Sequence, residues 1–158
     1  MVKIVGLQAE DASRLLPLLS QVQAMHVRAH PDIFHDDASE TEREGFLRGF
    51  ISRDDVTALV AITEEGYVIG YLIYEIQARD ASSLKSAFQV GFLHHIAVDE
   101  TRRGQGVGSE LIMEMKTRLR ATGISKLRSE HFAFNTQSAA LLQSAGLSPL
   151  RITVEGDL

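Results

Sequence analysis

Three glycines alternate with other residues in one short stretch, and two arginines stand directly before them: Arg102, Arg103, Gly104, Gly106 and Gly108. Glycine has no Cβ atom, so this stretch can turn tightly and bring its backbone N–H groups close to a ligand. N–H groups at the start of a helix, where the helix dipole is positive, bind phosphate. The residue types therefore predict a phosphate site with two cationic side chains at its rim.

The glycine spacing differs from that of two common nucleotide-binding loops. The dinucleotide fingerprint requires a glycine at the position of Ser109, and the ATP/GTP loop requires a Gly-Lys-Ser/Thr run that the sequence lacks. A glycine-rich turn that only caps a helix is the plainer alternative. Three glycines beside two arginines favour the phosphate ligand. We expect Gly106→Val or Gly108→Val to abolish binding, because a branched side chain would fill the phosphate hollow.

The glycine stretch lies between a predicted strand and a predicted helix. Phe88–Val98 is apolar and rich in strand-forming residues. After the glycines, apolar residues recur at helical spacing, and Gly123 follows as a C-terminal cap. The apolar side of this helix consists of Val107, Leu111, Ile112, Met115 and Leu119.

The other predicted strands surround these two elements. Val56–Ile62 and residues 67–76, joined at Glu64-Glu65-Gly66, indicate a hairpin that continues into Phe88–Val98 as an antiparallel meander. Short strands are predicted at residues 2–7, 126–132 and 150–154.

Three further helices are predicted. The first is capped by Asp11, starts late or kinks at Pro17, and ends before Pro31. The second covers residues 40–52, and the third covers residues 136–145 and is closed by Gly146. The apolar face of the second consists of Phe46, Leu47, Phe50 and Ile51.

Composition bounds the class of protein. The chain has 158 residues, which predicts one domain over residues 1–158, and no cysteine, which excludes disulfides and thiolate chemistry. The net charge of −5 works against nucleic-acid binding and favours cationic ligands. The N-terminus lacks the features of a signal peptide, and no apolar stretch can span a bilayer. We therefore expect a cytoplasmic protein with no nucleic-acid or membrane partner.

Two segments resemble the motifs of the GNAT superfamily of N-acetyltransferases. Arg103-x-x-Gly106-x-Gly108, preceded by Leu93-His-His-Ile-Ala-Val98, resembles its acetyl-CoA signature. Phe132-Ala-Phe-Asn135 to Gly146-Leu147 resembles a later motif. The order of elements fits across nearly the whole chain. The resemblance implies a mixed α/β fold: a central, largely antiparallel sheet of about six to seven strands with helices on both faces.

The resemblance also implies a reaction and a coenzyme site. The protein would move an acetyl group from acetyl-CoA to a primary amine by direct attack in a ternary complex, without a metal. Arg103 and Gly104 border the site, and the backbone of Gln105, Gly106, Val107, Gly108 and Ser109 would hold the pyrophosphate. The backbone of Ile96, Ala97 and Val98 would pair with the pantetheine arm like an added strand. Asn135 would contact the arm from the neighbouring strand. In the family, these two strands separate to admit the coenzyme.

His94 is the leading candidate for the base that deprotonates the amine. Superfamily members carry a glutamate or a histidine at the matching place, and histidine can accept a proton near neutral pH. Strand alternation predicts that His94 faces the same side as Ile96 and Val98 and that His95 faces the opposite side, as a packed residue. A histidine that only packs or forms hydrogen bonds in the sheet is the alternative for His94. Glu75 is the second candidate, with a solvated carboxylate as its alternative.

One position departs from the family pattern. Many members have a tyrosine seven places after the asparagine, where it protonates the departing thiolate; this chain has Leu142. Water can protonate a thiolate, because a thiol with a pKa of about 8.5 is a tolerable leaving group. Ser138 is a further candidate. Leu142 keeps a second function open: a weak or inactive acetyl-CoA-binding sensor or regulatory module.

The remaining histidines have weaker interpretations. His26, His30 and His35 stand near several aspartates, but Pro31 disfavours a shared helical face, so no metal site is predicted. His131 is compatible with the coenzyme cleft or with a strand surface. In the superfamily, the region between the first two helices lines the acceptor pocket, and its acidic residues suit a cationic small-molecule or peptide amine. The loop at residues 79–86 is a candidate for the opposite wall. Members are often homodimers, although no isolated apolar stripe here demands one.

Overall fold

The computed structural model describes residues 2–158 and shows a five-stranded sheet with four α-helices. In chain order the elements are β1 (Lys3–Leu7), α1 (Leu16–Ala29), α2 (Glu40–Ile51), β2 (Val56–Ile62), β3 (Val68–Arg79), β4 (Phe88–Val98), α3 (Val107–Ala121), β5 (Leu127–Ser129) and α4 (Thr136–Ser144). Short 3-10 helices cover Ala9–Leu15 and Glu100–Arg102. None of the described helices combines the length and apolarity needed to cross a membrane.

The sheet order follows the chain order from β1 to β5. The first four strands pair antiparallel, and β5 pairs with β4 in parallel. Helix α3 connects these two parallel strands, as a parallel crossover requires. The mixed, largely antiparallel sheet and its meander confirm the predicted fold class. The sheet has five strands, fewer than the six to seven expected.

The sheet has a hydrophobic core on each face. The core on one face holds Leu72 and Leu93 of the sheet with Leu111 of α3 and Leu142 of α4. The opposite core holds Tyr71, Ile73 and Ala97 with residues of α1 and α2, such as Leu18 and Leu47. Helices therefore cover both faces, as the sequence predicts.

Close packing holds α3 against β4. A Cβ atom on Gly91 would lie 2.3 Å from Cδ1 of Leu119, so only glycine admits the helix at this distance. The helix ends with Gly123 in the left-handed region at φ 82°. There the N–H groups of Gly123 and Ile124 donate to the carbonyls of Arg120 and Leu119. The predicted cap at Gly123 is thus confirmed, and it fixes the end of the helix that follows the glycine loop.

The start of α1 differs from its prediction. The cap predicted at Asp11 is wrong, because Asp11 lies inside the 3-10 helix and α1 begins only at Leu16. Pro17 occupies the first turn of α1, where its missing N–H costs no helical hydrogen bond. The late start at Pro17 and the end before Pro31 are confirmed.

The predicted strand at residues 150–154 is wrong, since the structure assigns no strand after α4. Apolar residues do alternate in this segment, but the side chains are exposed: 76% for Leu150, 80% for Ile152 and 87% for Val154. The neighbouring edge strand β5 has only three residues and offers few backbone groups for pairing. The strand predicted at residues 126–132 is shorter than expected, because only Leu127–Ser129 pair with β4.

Candidate active site

Strands β4 and β5 separate partway along β4. They pair only over Gly91↔Leu127, Phe92↔Arg128 and Leu93↔Ser129. At the last of these pairs, the hydroxyl of Ser129 donates to the carbonyl of Leu93 at 3.0 Å. Beyond it, β4 runs on to Val98 with β3 as its only strand partner in the described chain. We call this separation the fork; its β4 arm, His94–Val98, is an open edge that an extended ligand can join.

The glycine loop lies at the open end of the fork. Gly104 and Gly106 adopt φ values of 75° and 87°, in the region that favours glycine. Gly106 is the N-cap of α3 and supplies no side-chain hydrogen bond to it. The first N–H groups of α3 therefore face outward without a side-chain cap. A Cβ atom built on Gly104 or Gly106 would meet no protein atom within 4 Å, so the space in front of the loop is open to a diphosphate.

Gly108 has a different role from the other two glycines. A Cβ atom there would lie 3.1 Å from Cδ2 of Leu141 and 3.7 Å from Cγ2 of Val98. Gly108 thus lets α3 pack against α4 and the end of β4. The expectation that a side chain at Gly108 would fill the phosphate hollow is wrong, because that side chain would point into protein.

The two arginines before the glycines are exposed. Arg103 folds back along the loop and donates from Nε to the carbonyl of Val98 at 3.2 Å. Asp99 starts the loop: its carboxylate accepts from the backbone N–H of Thr101 at 2.9 Å. These bonds give the loop a defined shape where it leaves β4.

His94 follows the last residue of β4 that pairs with β5, and it forms a β-bulge. Ile73 pairs with His95 and Tyr74 pairs with Leu93, so His94 is an extra residue without a partner in β3. Its imidazole packs edge-on to Phe50 of α2, with ring centroids 5.1 Å apart. The predicted side of His94 is therefore wrong: Ile96 and Val98 pack toward α3, whereas His94 faces α2.

The bulge also corrects the position of His95. One extra residue shifts the alternation, so that His95 lies on the same side as His94 and is 6.4 Å from the Phe50 ring. His95 is packed, as expected. Burial lowers the pKa of His95 to about 4, with smaller contributions from His94 and His26. His95 is therefore neutral at pH 7.

The two catalytic candidates are hydrogen-bonded to each other. Nε2 of His94 lies 2.6 Å from Oε2 of Glu75, and 27% and 13% of these side chains are exposed. Gln77 donates to the same oxygen at 3.0 Å, and Arg53 donates to the other oxygen at 2.5 Å. The bond from Gln77, with those from His94 and Arg53, lowers the pKa of Glu75 to about 2.

This pairing fixes the chemistry that each group can perform. A carboxylate only accepts hydrogen bonds, so Nε2 of His94 carries the hydrogen. In the neutral ring, Nδ1 then holds the lone pair that can accept a proton. Glu75 stays ionised and orients the ring, as a carboxylate orients the histidine in a catalytic triad.

The residues after β5 form the other arm of the fork. Oδ1 of Asn135 accepts from the N–H of Ser138 at 3.0 Å and caps α4, which leaves the side-chain NH2 of Asn135 as a further donor. His131 is exposed, and its Nδ1 lies 3.0 Å from the carbonyl of Phe132. Leu142 is only 7% exposed and belongs to the core beside α3.

Two clusters of aromatic rings border the fork, and the sequence analysis did not identify them. The α1 cluster consists of His26, His30, Phe34, Phe132 and Phe134. The α2 cluster consists of Phe46, Phe50, Phe92, His94 and His95. A spacing of four residues on α2 puts Phe46 and Phe50 on the predicted apolar face of that helix, but the spacing does not distinguish a core face from a binding surface. Leu47 and Ile51 of α2 are buried, and Phe46 is 59% exposed.

The histidines near Pro31 belong to this aromatic packing. Nδ1 of His26 donates to the carbonyl of Val22 at 2.9 Å, and its ring lies 4.9 Å from Phe34. Within residues 2–158, no group of three His, Cys, Asp or Glu side chains is arranged to hold a metal ion.

The chain resembles known proteins in sequence and in fold. Residues 19–147 match the family model described as acetyltransferase (GNAT) family. No curated protein sequence matches the chain with significance.

Several solved structures share the fold at low sequence identity. A tetramutant of the BH1408 protein from Bacillus halodurans superposes with a TM-score of 0.92 at 21% identity, covering 99% of both chains. A ribosomal-protein-alanine N-acetyltransferase from Brucella melitensis gives 0.74 at 17% identity, covering 100% of both. An aminoglycoside N-acetyltransferase in complex with CoA gives 0.76 at 18% identity, covering 100% of this chain and 95% of the other.

Proposed function

Since the chain belongs to the acetyltransferase (GNAT) family, we propose that it is an enzyme that transfers an acetyl group from acetyl-CoA to a primary amine. The main support for this proposal is the fork. The His94–Glu75 pair lies at its vertex, where β4 and β5 separate, β4 forms its open edge, and the glycine loop lies at its open end. Amine acetylation is named for similar structures, including the aminoglycoside and ribosomal-protein enzymes.

The glycine loop fits the coenzyme's diphosphate. The open space before Gly104 and Gly106, the uncapped start of α3 and the exposed Arg102 and Arg103 together offer N–H donors and positive charge. The backbone of Gln105–Ser109 supplies the donors. The pantetheine arm, which carries amide groups, would extend along Ile96–Val98 as a strand would, with Asn135 donating from the facing arm.

His94 would act on the acceptor amine. An ammonium group has no lone pair, so a base must take its proton before attack, and Nδ1 of His94 is the nitrogen that the bond to Glu75 leaves available. As the amine attacks the thioester carbonyl, negative charge builds on the carbonyl oxygen. A backbone N–H of the open β4 edge would donate to that oxygen. The attacking nitrogen then loses its remaining surplus proton to water, the tetrahedral species collapses to the amide, and the C–S bond breaks.

The leaving thiolate would take its proton from water. The side chain at position 142 is a buried leucine and cannot donate one. Leu142 also supports the second candidate function, a protein that binds acetyl-CoA and turns it over weakly or not at all. The paired His94 and Glu75 favour the enzyme, because a sensor would need neither group.

Release of free thiol from acetyl-CoA distinguishes the two functions. The panel contains spermidine, an aminoglycoside, amino acids, simple monoamines and a peptide with a free N-terminus. The enzyme proposal expects thiol release that depends on at least one amine and is lost in His94→Gln. Tight calorimetric binding of acetyl-CoA without release on any amine would support the sensor. No binding of acetyl-CoA at all would overturn both.

A further inference from the structure

The fork is bordered by aromatic rings on both sides. Six of the seven phenylalanines of the chain lie in the two clusters, three in each; the exception is Phe88. The α1 cluster joins the end of α1 to the arm after β5, with Phe34 and Phe132 centroids 5.1 Å apart. The α2 cluster joins α2 to β4, with Phe92 and His94 centroids 4.7 Å apart. Aromatic side chains from four separate elements therefore border the fork, and His26 of the α1 cluster is close enough to His95 of the α2 cluster to help lower its pKa.

These phenylalanines are not among the buried residues of either core, although Phe50 packs against one core from its edge. Phe46 is 59% exposed and Phe132 is 37% exposed, while the other four are partly buried. Exposed aromatic surface that gathers beside a reactive group, when the cores are already filled elsewhere, is typical of a binding surface.

The groups around His94 favour an acceptor with one positive charge over a polyamine. The His94 side chain is hydrogen-bonded to Glu75 and packs against the rings of Phe50 and Phe92. The Glu75 carboxylate already accepts bonds from Arg53, Gln77 and His94. Arg53 also pairs with Asp55, and its guanidinium lies 5.5 Å from the centre of the Phe50 ring. An acceptor with several positive charges would meet the guanidinium of Arg53 and a Glu75 carboxylate whose two oxygens already accept three hydrogen bonds.

From these observations we infer that the acceptor is a monoamine carried on a planar apolar body, such as an arylalkylamine. This inference rests on the proposed acetyl transfer. The planar body lies against the faces and edges of Phe50, Phe92 and Phe132, and the amine reaches His94 at the vertex of the fork. Phe46, stacked 6.3 Å from Phe50, extends the aromatic surface toward solvent.

Matched acceptors and matched variants test the inference. The acceptors are 2-phenylethylamine, hexylamine, spermidine and tobramycin, and thiol release gives kcat/KM for each. The variants are Phe50→Leu and Phe132→Leu, which keep apolar volume but remove the flat face. The control is Phe88→Leu, because Phe88 lies under Arg79 and Arg128 at the far end of β4.

We expect 2-phenylethylamine to be the best acceptor. Phe50→Leu and Phe132→Leu should raise its KM about 3- to 10-fold, the size of one lost aromatic contact, with little change for hexylamine. Phe88→Leu should leave all values unchanged. Calorimetry of 2-phenylethylamine in the presence of CoA measures binding separately from turnover.

The outcomes separate the two proposals. Better use of spermidine or tobramycin, with no response to Phe50→Leu or Phe132→Leu, would overturn the acceptor class and leave acetyl transfer standing. Binding of 2-phenylethylamine that Phe50→Leu weakens, without acetylation of any amine, would support the aromatic site and overturn the transfer. Absence of both binding and acetylation would overturn both.

Discussion

Nε2 of His94 lies 2.6 Å from Oε2 of Glu75, although the two residues are 19 positions apart in the chain. Antiparallel pairing of β3 with β4 brings them together: Glu75 pairs with Phe92, and His94 follows Phe92 by two residues on the same side of β4. The bulge at His94 places His95 on that side as well. The pair therefore arises from ordinary strand alternation, and it places a proton acceptor where β4 and β5 separate.

Replacing His94 should remove the base and preserve the coenzyme site. We expect His94→Gln to lower kcat about 10²- to 10⁴-fold, the range that general base catalysis contributes. The Kd for acetyl-CoA should stay unchanged, because the loop at Gly106 is not altered. Steady-state thiol release and calorimetry measure the two quantities. An equal loss of binding and turnover would show that His94 holds the coenzyme or the fold instead.

Replacing Glu75 should change stability at low pH. Its native pKa of about 2 lies below the ordinary value of 4.5, so the native state holds fewer protons than the unfolded state between these values. The carboxylate thus stabilises the fold above pH 4.5, and this contribution is lost as pH falls toward 2. Urea unfolding should show a smaller decrease over this range in Glu75→Gln than in the unaltered protein. Parallel curves for the two proteins would contradict the native contacts of Glu75.

His95 should produce a second pH effect at milder acidity. Its native pKa of about 4 lies below the ordinary 6.5, because burial disfavours the imidazolium. Between these values the unfolded state binds the additional proton, so the free energy of unfolding should decrease as pH falls from 6.5 to 4. His95→Phe should remove this slope. The control is His35→Phe, since the His35 side chain is 74% exposed. A slope that survives in His95→Phe would assign it to another group.

A branched side chain at Gly106 should abolish coenzyme binding. Gly106 has φ 87°, so Gly106→Val adds backbone strain of about 1–2 kcal/mol and puts methyl groups into the space before the loop. Gly66→Val is the matched control, because Gly66 has φ 89° with open space around it, in the β2–β3 turn. Both variants should lose similar stability, and only Gly106→Val should lose affinity for acetyl-CoA by calorimetry. Equal affinity in the two variants would refute the loop assignment.

The sequence predicted the elements better than their register. Apolar runs bounded by polar turns placed β2 and β4 at their observed limits, Val56–Ile62 and Phe88–Val98. The bulge at His94 could not be predicted, because it arises from how β4 pairs with β3 rather than from residue types in β4. The same limit applies to residues 150–154, whose alternation is that of a strand but which have no partner strand in the described chain.

The site was predicted in part for the same reason. Glycine spacing indicated the loop before α3, but it did not distinguish Gly106, which faces open space, from Gly108, which packs on Leu141. His94 and Glu75 were separate candidates, and only the paired strands show that one orients the other. The aromatic clusters combine residues from α1, α2, β4 and the segment after β5, so no local pattern describes them.

A crystal structure of the protein with acetyl-CoA tests the central claim most directly. We expect the diphosphate on the backbone of residues 105–109, the pantetheine arm along Ile96–Val98 between the arms of the fork, and the thioester carbonyl beside the His94 imidazole. Acetyl-CoA bound at another surface, with the fork closed by pairing between residues 94–98 and 130–134, would contradict it.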